Sequence, residues 1–191
     1  MVLGILGSGS GSNMQAIFDA ITAGTLAARI ALVLSDNPDA FILERARRHG
    51  IATGLIDCHG FKTKFPAEAQ QETAACLQAA GVELVCLAGF LRLVKQPLLG
   101  AFPKQIINIH PSLLPAFPGL ESWQQALTAG VAETGCTVHL VDAGMDTGPI
   151  ILQQAVPILP GDSAASLHAR IQEAERRLYP AAIAKLAASR G

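Results

Sequence analysis

Apolar residues along this chain follow two rhythms. Short unbroken runs, VLGIL at 2–6, IALVL at 30–34, ATGLI at 52–56, ELVCLA at 83–88 and QIINI at 105–109, have the length and continuity of strands covered on both faces. The stretches between them are amphipathic and predict helices over 13–23, 40–49 and 66–80, with a short one near 96–100. Asn13 is placed to cap the first helix and Gly50 to end the second. Strands that alternate with helices in this way build parallel sheets through crossovers.

Beyond residue 119 the rhythm continues with a helix near 123–129. TVHLV at 137–141 and IILQQAVPI at 150–158 then read as strands around the turn GMDTG. A long closing helix is expected over 163–189, kinked or split by Pro180. Its residues Leu167, Ile171, Leu178 and Ile183 keep a helical spacing, which fits a core-facing stripe. The expectation is an α/β fold: a Rossmann-like open, mostly parallel sheet with helices on both faces. Sheets of this kind bind ligands beyond the C-terminal ends of their strands, where strand order reverses. GSGSGSN, AGFLR and NIHPS all fall there.

Composition narrows the partners. The 191 residues suit one domain over 1–191, half of them are hydrophobic, 15% are charged and the formal net charge is −1. No footprint for nucleic acid or an anionic membrane is visible in such a balance, so small-molecule partners are expected. Cys58, Cys76, Cys86 and Cys136 lack any CxxC spacing and read as reduced thiols. No apolar stretch is long enough to span a bilayer, and the first residues lack a secretory pattern, so a cytoplasmic location is expected.

Two segments carry chemistry. GSGSGSN at 7–13 joins the first strand to the first helix, where exposed amides and the helix dipole favour an anion such as a phosphate. A plain strand-to-helix turn would use glycine in the same way. A dinucleotide fingerprint needs a third glycine where Ser12 or Met14 stands, and a Walker loop needs an absent Gly-Lys pair. Asp36, after the second strand, could bind a ribose, although Asp36, Asn37 and Pro38 also read as a turn.

The second segment is INIHPSLLPAFPG at 107–119. Residues two apart on a strand share a face, so Asn108 and His110 can address one atom together. An amide beside an imidazolium suits a developing oxyanion, and Asp146 in the GMDTG turn is the candidate carboxylate to orient the histidine. His110, His139 and Asp146 lack close metal-ligand spacing, so no metal is expected. Ser112 has no nucleophile elbow.

GSGSGSNMQAI, LAGFLRLV, INIHPSLLPAFPG and GCTVHLVDAGMDTGPIILQ, in unbroken order from about residue 2 to about residue 185, resemble the phosphoribosylglycinamide formyltransferases. The resemblance implies the formyltransferase fold and transfer of formyl from 10-formyltetrahydrofolate, as co-substrate, to the amine of glycinamide ribonucleotide in purine synthesis. It implies that Asn108 and protonated His110 stabilise the tetrahedral oxyanion, with Asp146 keeping His110 charged and moving protons through water. It also implies that Gly11, Ser12 and Asn13 hold the substrate phosphate and that Glu175 contacts the ribonucleotide. The folate would lie along Phe90, Leu91, Arg92, Leu93 and Val94, beside Asn108, with Val141, Asp142, Ala143 and Gly144 around its pterin and Lys64 near its tail. No metal is implied, and a monomer or homodimer fits. Two positions depart from the pattern: Trp123 stands where many members carry a histidine, and Lys64 where an arginine often approaches the folate tail.

Overall fold

The computed structural model describes residues 1–189 and assembles seven strands into one sheet. The elements in order are β1 (Val2–Leu6), α1 (Ser12–Thr22), β2 (Arg29–Ser35), α2 (Phe41–Arg48), β3 (Ala52–Leu55), α3 (Ala67–Ala79) and β4 (Leu84–Leu87). There follow α4 (Leu98–Ala101), β5 (Ile106–His110), α5 (Ser122–Ala129), β6 (Glu133–Leu140), β7 (Ile150–Pro157) and α6 (Ala164–Ala188). The strand order is β3-β2-β1-β4-β5-β6-β7. All pairs from β3 to β5 are parallel, and β6 and β7 are antiparallel additions. From β1 the chain first winds outward to β3, then returns to β4 on the other side, so strand order reverses between β1 and β4 and opens a crevice there.

The two-residue period of the strands sorts side chains between two cores. Leu3, Ile5, Cys86, Ile107, Ile109 and Val138 face α1, α2 and α6. Leu6, Val85, Leu87 and Ile106 face α3 and α4. By the same parity Asn108 and His110 lie on the face of Ile106, and His139 and Thr137 stand opposite them on β6. Asn108, His110 and His139 therefore share one face of the sheet.

Several expected boundaries change for physical reasons. Asn13 does not cap α1: the cap is Gly11, at φ 74° and without a side-chain hydrogen bond, and Asn13 lies inside the first turn with its amide turned to Glu175. Gly50 ends α2 as expected, at φ 68°. Its N–H meets Arg47 O and the next N–H meets Ala46 O, which satisfies carbonyls left at the helix end. Strand β6 begins at Glu133 rather than Thr137. A Cβ at Gly135 would strike Gln154 O on β7 and lie 2.8 Å from Leu113. Close packing accounts for this glycine.

Pro180 does not split the last helix, which runs 25 residues through it. Its start is secured by reciprocal capping between Ser163 and Ser166, and Arg170 grips Asp162 just before it. Tyr179 is fully buried, and its hydroxyl lies 2.9 Å from Leu87 O and 3.2 Å from Ile107 O. That hydroxyl ties α6 to the two strands that end at the crevice.

Candidate active site

A cavity of about 550 Å³ fills the crevice. The glycine loop and Glu175 line one end, the ends of β4 and β5 its floor, and the 90–94 and 141–146 segments the other end. The structure thus brings together Gly11, Ser12, Asn13, Glu175, Phe90, Leu91, Arg92, Leu93, Val94, Asn108, His110, Val141, Asp142, Gly144 and Asp146. Lys64 and Ala143 are not on this wall: the Lys64 ammonium sits 5.1 Å above the Phe61 ring, and only its neighbour Thr63 reaches the cavity.

His110 is 5% exposed. Its Nε2 lies 2.9 Å from Phe117 O, and its Nδ1 lies 3.4 Å from Asp146 Oδ2. A carbonyl only accepts, so Nε2 carries a proton, and Nδ1 faces the carboxylate. Both ring nitrogens thus face acceptors. Phe117 can present its carbonyl because the proline-rich loop bends sharply, with φ 56° at that residue. The loop is lashed to the sheet by Thr137, whose hydroxyl donates to Ser112 O and accepts from Leu114 N–H, and by Gln153, which donates to Leu114 O. Ser112 is fully buried and donates to Ala116 O at 2.6 Å, a structural role.

Asp146 is the hub. Gly119 N–H donates to its Oδ2 at 2.9 Å, while His139 Nε2 stands 3.6 Å from its Oδ1. Burial alone would push this carboxyl up, but the His139 contact, the Gly119 N–H and the two imidazoles outweigh it and hold the group below the usual carboxylate range. It is a carboxylate at neutral pH.

His139 was considered in the sequence only as a possible metal ligand, yet it belongs to the centre. Its Nδ1 donates to Leu140 O at 2.8 Å, and its Nε2 lies 3.3 Å from Asn108 Nδ2. That single nitrogen can accept from the amide or, when protonated, donate to Asp146. The signal was the cross-strand pairing of Asn108 with His139, invisible until β5 and β6 are aligned. The two imidazoles approach different oxygens of Asp146 and do not converge on one point.

Arg92 and Asp36 hold the site's frame. Arg92 Nε lies 2.6 Å from Asp36 Oδ2, with both side chains under 10% exposed. The same guanidinium donates to Phe61 O and Lys64 O. Asp36 also accepts from Ser8 Oγ, which in turn accepts from Leu91 N–H. The carboxylate proposed for a ribose is thus occupied as a strut between the glycine loop and the 90–94 segment. The turn at Asp36 is real as well, since Asn37 Oδ1 accepts from Asp39 N–H.

At the other end, Asn13 Nδ2 donates to Glu175 Oε2 at 3.0 Å, and Asn13 Oδ1 is buried without a partner. The first amides of α1 have no intrahelical acceptors, and with glycine as the cap no side chain takes them. Trp123 and His168 stack at 3.6 Å with an interplanar angle of 4° and form the adjoining wall.

Burial raises the Glu175 carboxyl from 4.5 to about 7, against the Asn13 hydrogen bond and the Arg176 charge. The folded chain therefore holds this proton more tightly than the unfolded one. The resulting stability is complete below about pH 4.5 and is lost as pH rises through 7, a loss of about 3 kcal/mol. Glu175→Gln keeps an acceptor for Asn13 and removes the ionisation. Urea midpoints of the wild type should fall relative to the variant between pH 5 and 8; parallel curves would refute the assignment.

Comparison with known proteins assigns this fold and crevice to one class. The family model described as Formyl transferase matches residues 1–183, and this chain belongs to that family. Among solved structures it is similar to glycinamide ribonucleotide transformylase 1 from Symbiobacterium toebii, at a TM-score of 0.95 and 52% identity over 100% of this chain and 89% of that one. It is 42% identical to phosphoribosylglycinamide formyltransferase of Bacillus subtilis, over 95% of this chain and 92% of that protein. It is also 48% identical to the trifunctional purine biosynthetic protein adenosine-3 of Drosophila pseudoobscura pseudoobscura, where it covers 96% of itself but spans only 13% of the longer protein.

Proposed function

We propose that this chain transfers a formyl group from 10-formyltetrahydrofolate to the primary amine of glycinamide ribonucleotide, a step of purine synthesis. The observation that carries the reading is the placement of Asn108, His110 and Asp146 in one cavity with the glycine loop. The names of the relatives supply the substrates. The phosphate sits on the amides of Gly11, Ser12 and Asn13, which places the glycinamide amine toward β5. Glu175 and Asn13 meet the polar part of the ribonucleotide. The folate lies along residues 90–94, where Leu91 and Leu93 are exposed apolar cover, and the 141–144 segment wraps its pterin.

The amine attacks the formyl carbon, and the carbonyl oxygen takes up negative charge. Asn108 Nδ2 and the His110 imidazolium stabilise that charge, a contribution of about 3 kcal/mol for a preorganised donor. Asp146 keeps His110 charged and orients it. As the intermediate collapses the new amide keeps the formyl carbon, the bond to folate N10 breaks, and the proton lost by the amine passes to N10 through water at Asp146. The reading includes one formyltransferase domain over 1–191, a cytoplasmic setting and partners limited to small molecules. A net charge of −1 supports the last point, and among the described residues no helix is long and apolar enough to cross a membrane.

The test is release of tetrahydrofolate followed by absorbance, with and without glycinamide ribonucleotide. Release should require the ribonucleotide. Equal release without it would replace transfer by hydrolysis of the formylfolate.

A further inference from the structure

We infer that Arg45 is a positioning residue that aims the amides of the glycine loop at the substrate phosphate. The inference rests on the phosphate reading of that loop and assigns its geometry to a side chain outside the cavity. Gly9 to Asn13 line the cavity, whereas Arg45, on α2, stands behind them and does not.

The loop is tied to α2 by two consecutive carbonyls. Ile42 N–H donates to Gly9 O at 3.0 Å, and Arg45 Nε donates to Ser10 O at 2.9 Å. A trans peptide is planar, with its C=O and N–H directed oppositely. Fixing both carbonyls on α2 therefore turns the N–H groups of Ser10 and Gly11 away from α2. Neither N–H has a protein partner among the described residues. Packing holds the same arrangement, because a Cβ at Gly11 would lie 2.7 Å from Ile42 Cα.

Asn13 is the independent sign that a polar ligand completes this end of the cavity. It is 8% exposed and lines the cavity, and its Oδ1 is buried with no partner. Of the two anchors only Arg45 is a side chain, and its guanidinium lies 4.9 Å from the centre of the Phe41 ring. The guanidinium also brings a positive charge behind a loop that holds an anion, which the Ile42 amide cannot.

The experiment compares wild type with Arg45→Met, which keeps length and loses the donor and charge, and Arg45→Lys, which keeps the charge. Three quantities are read: KM for each substrate, kcat, and the inorganic phosphate concentration that gives half the maximal rise in thermal midpoint. Arg45→Met should raise KM for the ribonucleotide roughly tenfold, the loss of about one charge-assisted hydrogen bond. Its kcat and folate KM should stay within about twofold, and the phosphate concentration should rise by the same factor as the ribonucleotide KM. Arg45→Lys should fall between. An unchanged phosphate response would overturn the proposal, as would equal rises in both KM values with a lowered ligand-free midpoint, the mark of general loosening. If wild type shows no ribonucleotide-dependent turnover, the transfer reading fails, and the phosphate titration still decides the role of Arg45.

Discussion

Asn108→Ala is expected to lower kcat by roughly a hundred- to a thousandfold while substrate KM values change by no more than a few-fold. The amide sits at the floor of the cavity, on the same sheet face as His110, and its nitrogen is 3.3 Å from His139 Nε2. In the proposed mechanism it serves a charge that exists only while the carbonyl is under attack, so its loss falls on the transition state. Nothing of the core goes with it, since Asn108 is only partly buried. His110→Ala should cost a similar factor, because it removes the imidazole that Asp146 and Phe117 O hold in place. In the proposed mechanism the two groups act on one oxygen, so the double variant should lose far less than the product of the single losses. Steady-state kinetics with both substrates varied check this, and full activity in either single variant would remove that residue from the mechanism.

The runs that form the parallel half of the sheet were legible because its central strands β1, β4 and β5 are covered on both faces and read as continuous apolar blocks. VLGIL became β1 residue for residue. The pairing of Asn108 with His110 was legible for the same reason, since a period of two needs no knowledge of the neighbouring strand. What the neighbours supply was not legible. His139 enters through the register of β5 with β6. The extension of β6 back to Glu133 was not legible either, since the atoms that exclude a larger residue at Gly135 come from β7 and the proline loop. The resemblance gave Arg92 to the folate, and Asp36 read as a turn or a ribose ligand; the fold pairs the two side chains across 56 positions. Arg92 lines the cavity, but its charge is spent on Asp36 and on the carbonyls of the 61–64 loop. Lys64, which the resemblance sets near the folate tail, has its ammonium over Phe61, a contact that sequence alone does not show.

The second large effect is expected at Asp146, where asparagine is the informative substitution. The residue has φ 55°, a conformation that asparagine tolerates and most residues do not, so the turn survives. Asparagine can still accept from Gly119 N–H through its remaining oxygen. The NH2 group then takes the place of Oδ1 and faces His139, and His110 meets a neutral amide oxygen where a carboxylate had stood. Asp146→Asn should reduce kcat on the order of a thousandfold, comparable to the loss when the carboxylate that orients a catalytic histidine is neutralised in other acyl transfer enzymes. Stability carries a separate signature. The Asp146 carboxyl lies below its usual range because the His139 contact, the Gly119 N–H and the two neighbouring imidazoles outweigh burial. Its contribution is therefore present above the ordinary carboxylate range and is lost as pH falls through the depressed value. Wild type should exceed the variant in denaturant midpoint at pH 7, and the gap should close as the solution is acidified. A gap that stayed constant with pH would mean that the carboxylate is not charged against the imidazoles, and the proton path through Asp146 would have to be abandoned even if the loss in kcat were found.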